Sequence, residues 1–311
     1  MSMNKIKTKV SRETNFIYHM LSVAKCGYDN EYGDKFASLH ASDDLKILKG
    51  NESLITVAGG EHCGELYWYL VSVPASLDVE AMSYYQSLAH LFRTGNIEVS
   101  VKQYGSVYQL FLSANEPDFA ESVQDFYNYY KGFLAIVPLC DVMIRNYPIY
   151  CNKVWDETQK ELLLYAKDIA DIFNENGLSE KLENITKERL KSEFIATFCN
   201  SLDGGAEAID ISEDQDVFGI GRDYEWAVKF ISHEFVIYLL KQSLANTSAF
   251  GDLKYWLCTE GLAEFYLSLV GMGGGFKKGA DVIEYYKALY QSDTTLTALE
   301  LYNKAIKKFH G

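Results

Sequence analysis

The sequence predicts an α+β fold that is mostly helical, and three observations carry that expectation. Apolar residues recur at helical spacing through most of the chain, three short stretches of strand character lie together between residues 193 and 221, and two helices bearing carboxylates among apolar neighbours follow them. The 311 residues are 48% hydrophobic and 14% aromatic, enough for one large or two ordinary domains with substantial cores. A soft boundary near 150 separates a mostly helical N-terminal region, 1–150, from a C-terminal region, 151–311. No Gly/Ser-rich or charged linker marks it, so a core shared by both halves stays open.

In chain order, residues 12–26 and 79–93 carry apolar residues at helical spacing, and Ala114-Asn-Glu-Pro117 opens a helical region that runs past Tyr130. Extended structure is expected at Ser53–Val57 and in a hairpin of Ile97–Val101 with Val107–Leu112 across Tyr104-Gly105, with irregular connections as the alternative. Tyr147-Pro148 reads as a break, and 154–176 resumes helical periodicity. The three strand candidates are Glu193–Cys199, Ala206–Ile211 and Val217–Gly221, separated by Asp203-Gly204-Gly205 and Ser212–Asp216. Asp223 then caps a helix. A later glycine run, Gly271–Phe276, reads as a helix connection rather than a phosphate-binding nest, because no strand precedes it and no Lys-Ser/Thr ends it. Two amphipathic helices at 278–291 and 294–309 complete the chain.

Within this frame, His233-Glu234 is the most informative pair. From Phe230 to Leu240 the other residues are almost all apolar or aromatic on every helical face, so the segment should be buried all round. A carboxylate there needs a cation, a metal-bound water or strong hydrogen-bond donors. Further on, Trp256-Leu-Cys-Thr-Glu260-Gly-Leu-Ala-Glu264-Phe-Tyr puts two carboxylates four residues apart on one helix face.

The order His-Glu, a second helix, then Thr-Glu-Gly-Leu-Ala-Glu-Phe resembles the gluzincin zinc metallopeptidases over about 190–270. The resemblance implies a zincin-like C-terminal core, with a small sheet, a metal-site helix and a glutamate helix. It makes His233 and Glu260 zinc ligands and Glu234 the general base that takes a proton from zinc-bound water. Where the family's His-Glu-x-x-His pattern has its second histidine, this chain has Ile237. Isoleucine offers no lone pair, and two ligands hold zinc less tightly than the three of a hydrolytic site. Glu264 is expected beside a ligand, as an acceptor from it, and is the nearest candidate to replace the missing one. A remote His62, His40 or His90 stays open as a third ligand. The glycines around His62 favour a loop. Tyr224, Tyr238 and Tyr266 are near enough in sequence to assist, although core or surface roles are the commoner ones for tyrosine.

Charge and composition narrow the partners. The formal net charge of −14, with no stripe of Lys and Arg, disfavours nucleic acid and anionic membranes. No apolar stretch reaches the ~18–20 residues of a membrane span and no secretory signal is seen, so a cytoplasmic location is expected. Six cysteines at 26, 63, 140, 151, 199 and 258 form no Cys-x-x-Cys pair and read as reduced core thiols. Three functional readings follow: a metallopeptidase-like protein with a degenerate zinc site that keeps a cleft for a peptide or protein partner; an active zinc peptidase with a third ligand from elsewhere in the chain; and an unrelated helical interaction protein.

Overall fold

The computed structural model describes residues 4–27, 31–58, 62–76, 79–113, 122–202, 206–208, 214–220, 223–274 and 278–311. The chain is α+β and mostly helical. Its strands are β1 (Ile6–Lys9), β2 (Val57–Ala58), β3 (His62–Cys63), β4 (Phe194–Cys199), β5 (Ala206–Ala208) and β6 (Asp214–Gly219). One sheet has the order β1-β4-β6-β5, with β5 antiparallel to β6 in the register Ala206 to Phe218 and Ala208 to Asp216; β2 and β3 form a separate antiparallel pair. The chain divides into two units, one of residues 1–8, 166–196 and 222–311, the other of 9–165 and 197–221.

The unit of 9–165 and 197–221 is an aromatic helical assembly. Phe16, on the helix Arg12–Val23, meets Tyr147 edge-on at 5.0 Å and Tyr150 at 5.5 Å. Each buried tyrosine hydroxyl needs an acceptor. Those of Tyr84 and Tyr85 donate to the carbonyls of Tyr69 and Leu70, each at 2.7 Å, within the widened π-helical turn Trp68–Ser72. Glu13 accepts from the Ala81 amide, at the start of the helix Ala81–Thr94, and from the Tyr147 hydroxyl, both at 2.8 Å. A carboxylate there satisfies a free helix-end donor and complements the helix dipole.

Several local expectations give way to packing. Residues 97–112 form no hairpin but the helix Ile97–Ser113, with a local departure from helical geometry at Tyr104 (φ −124°, ψ 22°). The signal that outweighs the β-branched residues is the four-residue spacing of Ser100, Tyr104 and Tyr108, which puts all three against the helix Ala81–Thr94. Ser100 bonds His90 Nδ1 at 2.9 Å, the Tyr104 ring lies 5.7 Å from that imidazole, and the Tyr108 hydroxyl donates to the Ser87 carbonyl at 2.8 Å. Ser53 likewise lies in a short helix, Glu52–Ile55, with extended backbone beginning only at Val57. Pro148 does not break the chain: it sits inside the helix Ile136–Tyr150, which a π-helical turn, Cys151–Trp155, continues into the helix Asp156–Asn176. His62 belongs to β3 rather than to an irregular loop. The expected helix start at 114–117, the turn at 203–205 and residues 212–213 of the break expected at 212–216 lie outside the described residues, whereas 214–216 belong to β6, paired with β5, rather than to a turn.

A hydrogen-bonded chain with no sequence signature runs through this unit. The Tyr32 hydroxyl lies 2.8 Å from His19 Nδ1, His19 Nε2 is 2.8 Å from His40 Nε2, and His40 Nδ1 is 2.7 Å from the Asn146 side-chain oxygen. The Asn146 amide nitrogen donates to Asp44 at 2.8 Å, and Arg145 pairs with the same carboxylate at 2.5 Å. With the amide oriented this way and both imidazoles neutral, each proton has one place: on His40 Nδ1, on His19 Nε2 and on the Tyr32 oxygen. Burial favours that neutral form. Burial lowers His19 well below 6.5, with His40 adding to the effect, and burial lowers His40 despite Asn146 and Asp44. A histidine depressed in the fold contributes full stability above the unfolded value near 6.5 and loses it as pH falls below that value. Asn146→Leu removes the acceptor of His40 and a donor to Asp44, so it is expected to cost about 1–3 kcal/mol, read as a lower urea midpoint.

Candidate functional site

The unit of 1–8, 166–196 and 222–311 holds His233 on the helix Tyr224–Leu244 and Glu260 on the helix Trp256–Leu269. Asp223 opens the first helix as the sequence predicts, its side chain accepting from the Trp226 amide at 2.8 Å. The apolar surround of His233 is met by packing: Phe194 of β4 lies 6.0 Å from the Phe235 ring and 5.2 Å from that of Tyr238. The second helix is fixed from behind. The Tyr286 hydroxyl donates to the Cys258 carbonyl at 3.0 Å, and Thr259 Oγ1 lies 3.1 Å from the Tyr302 hydroxyl. Gly261 permits this approach, since a Cβ there would sit 3.1 Å from Val282 Cγ1. The sequence Glu260-Gly261 thus joins a site residue to the small residue that lets its helix pack closely.

These two helices bring the predicted residues together. His233 Nε2 lies 2.7 Å from Glu260 Oε2, and Nδ1 lies 3.7 Å from Glu264 Oε2. The imidazole is 7% exposed and Glu264 3%. Glu264 Oε1 also accepts from the Gly274 amide, so the glycine run returns to the site and supplies a donor to its buried carboxylate. Gly274 takes a φ of 103°, open to glycine and strained for other residues.

Burial alone would strip the proton from this imidazole. Hydrogen bonding to Glu260 and then Glu264, with the charges of Glu234 and Glu260, outweighs that and raises His233 to about 10. Glu234 moves upward to about 7, chiefly by desolvation; Glu260 adds to the rise and His233 opposes it. Glu234 faces a cavity of about 580 Å³ whose lining also includes His233, Glu260, Glu264, Trp226 and Trp256. That size is typical of small-ligand and peptide-side-chain pockets.

A hydrolytic zinc centre takes three protein ligands and keeps a fourth position open. His233 and Glu260 are present, and Glu264 stands behind the imidazole, where a carboxylate orients a histidine ligand. Ile237, one turn beyond His233, is aliphatic, and among the described residues no three His, Cys, Asp or Glu side chains are placed to share an ion. Two ligands at ~2.0–2.1 Å from a tetrahedral ion would stand ~3.3 Å apart, farther than the direct His233–Glu260 bond. The residues present do not fit a hydrolytic zinc site.

The other candidates whose side chains are described are engaged elsewhere; the His62 side chain lies outside those described. His40 belongs to the Asn146 chain and His90 bonds Ser100 within the other unit. The Tyr224 hydroxyl donates to Asp168 at 2.8 Å, while Tyr238 and Tyr266 are buried. The described cysteines form no disulfide; burial raises Cys26 to about 12 and Cys258 to about 11, as expected of unreactive core thiols. No helix among the described residues is long and apolar enough to cross a membrane. Sequence reading missed Gly274 and the aromatic wall of Trp226 and Trp256; the spacing of Trp226 and His233, two turns apart on one helix, was the available signal for the latter.

Compared with family models, curated proteins and solved structures, the chain matches none of them.

His233 is raised in the fold, so its stabilising contribution is complete below about 6.5 and is lost as pH rises through about 10. Its ring-proton NMR signals are expected to stay those of an imidazolium at pH 8, and Glu260→Gln should move the titration midpoint downward. A midpoint near the ordinary histidine value in the unaltered protein would contradict the charged arrangement.

Proposed function

We infer that the C-terminal region is a gluzincin-like scaffold whose zinc site is degenerate and whose cleft binds a segment of peptide or partner protein. One observation carries this reading: the imidazole of His233 meets the carboxylates of Glu260 and Glu264 at one cavity, while an aliphatic side chain stands at the position of the missing ligand. The family order of His-Glu and a later glutamate helix supplies the register, and the placement of Glu264 behind the imidazole suits the support of a histidine ligand. A satisfied core pair without metal would also bond His233 to Glu260 or Glu264, but it would not call for the family order of His-Glu and a glutamate helix. An active peptidase needs a third ligand, and neither His40 nor His90 is free to supply it.

Without zinc, the same groups do different work. His233 becomes a fixed cation held by two acids, and Glu260 is occupied by it rather than by a metal. Glu234 has no metal-bound water to deprotonate and instead presents a carboxyl group to the cavity. The cleft is thereby a binding surface with a polar floor and aromatic sides.

Restoring the absent ligand tests the reading. Ile237→His should raise zinc affinity over the parent by more than the roughly 10–100-fold attached to losing an orienting partner, measured by competition with a chromogenic chelator. An unchanged affinity would remove the family resemblance. Peptide cleavage by the parent that disappears in Glu234→Gln would show an active peptidase and overturn the degenerate-site reading.

A further inference from the structure

The cavity is unbalanced in charge. Among the described residues, its lining contains the carboxylates of Asp223, Glu225, Glu234, Glu260 and Glu264 against two cationic side chains, Lys229 and His233. Lys229 is taken by Glu225 at 2.7 Å, and His233 by Glu260 and Glu264. Asp223 spends an oxygen on its helix cap. Glu234 is the remainder: it is half-buried, it faces the cavity, and no hydrogen bond or ion pair from a described residue reaches its carboxyl group. A desolvated carboxyl without a donor is costly, and a cationic donor entering from the cavity is what would relieve it.

The aromatic wall points to the same chemistry. Trp226 and Phe230 stand one turn apart with ring centroids 4.9 Å apart, and both line the cavity with Trp256. The Trp256 ring already carries a cation, with Lys278 Nζ 5.7 Å from its centroid. Indole faces attract ammonium and guanidinium groups most strongly where those ions are partly desolvated. Acid and indole together make a setting for a positively charged group with an aliphatic stem, which an anionic or purely apolar segment would not match.

The geometry points to a peptide segment bearing a primary amine or guanidinium as the occupant of this cleft, with the cation seated between the Glu234 carboxyl and the indoles. This rests on the binding-cleft reading above and adds the class of ligand to it. A lysine or arginine side chain and a free peptide N-terminus share this chemistry, and the probes below separate them.

Four peptides of equal length and otherwise identical sequence serve as probes on the full chain, read by calorimetry and by the fluorescence of the cavity tryptophans. Three have blocked ends and carry lysine, acetyl-lysine or norleucine at the centre; the fourth carries norleucine and a free N-terminal amine. The lysine peptide is expected to bind roughly ten- to hundredfold tighter than its acetyl-lysine and norleucine counterparts, the scale of a charge-assisted bond to a desolvated partner. Tight binding of the fourth peptide, with the lysine peptide no tighter than norleucine, would assign the N-terminal amine as the source. Glu234→Gln should remove most of the preference for lysine over norleucine. The acetyl-lysine comparison needs no variant, so it decides the matter even if that variant misfolds. Equal binding of all four peptides would overturn the cationic assignment and leave the cleft reading intact, whereas binding of none would overturn both. A lysine preference that survives Glu234→Gln but vanishes in about 1 M salt, where screening acts within about 3 Å, would trace to the acidic surface at large and overturn the assignment too.

Discussion

A buried imidazolium is tolerable only when acids hold it, and that requirement organises the C-terminal helices. His233 is nearly sealed from solvent, yet keeps its proton because Glu260 meets one ring nitrogen and Glu264 approaches the other. Their four-residue spacing puts both acids on one face, and the helix that carries them must stand close to the His233 helix for either to reach. Gly261 on the far side admits the helix Ala280–Ser292, and Gly274 closes over Glu264. Removing either acid would leave the cation partly unpaired in a dry site, where breaking such a pairing is more harmful than never having made it.

The two units use the same side chain in opposite ways. His19 and His40 are neutral because the groups facing them are a tyrosine hydroxyl, each other and an amide, none of which repays the cost of a buried charge. His233 faces two carboxylates, and the sign of its shift reverses. Burial pushes all three in one direction; the identity of the hydrogen-bond partner decides the outcome. The first arrangement is a directional chain of neutral groups that ties segments together, and the second is a concentrated charge at the wall of a cavity.

That contrast bears on function. At His233 the local charges answer one another, the imidazole meeting Glu260 at one ring nitrogen and Glu264 at the other. Glu234 is the exception, left facing the cavity without a donor among the described residues. A site whose own groups are matched except for one desolvated acid has a definite preference for what should enter it.

Local chemistry made several features legible. The cap at Asp223, the strand Phe194–Cys199, the glutamate helix and the four-residue spacing of its acids all follow from periodicity and from side chains that bond nearby backbone. Residues 97–112 misled because β-branched side chains favour strands only where a sheet receives them, and a helix received them instead. Pro148 misled for a related reason: a widened turn beyond it keeps the helical rod running. The sequence alone therefore determined the chemistry available near His233, including the aliphatic residue at Ile237 one turn beyond it. Tertiary structure decided which acid faces which ring nitrogen, that Glu234 faces the cavity without a partner among the described residues, and that Asn146 completes a chain begun at Tyr32. Such pairings join segments far apart along the chain, and only the packing that brings them together carries the information that fixes them.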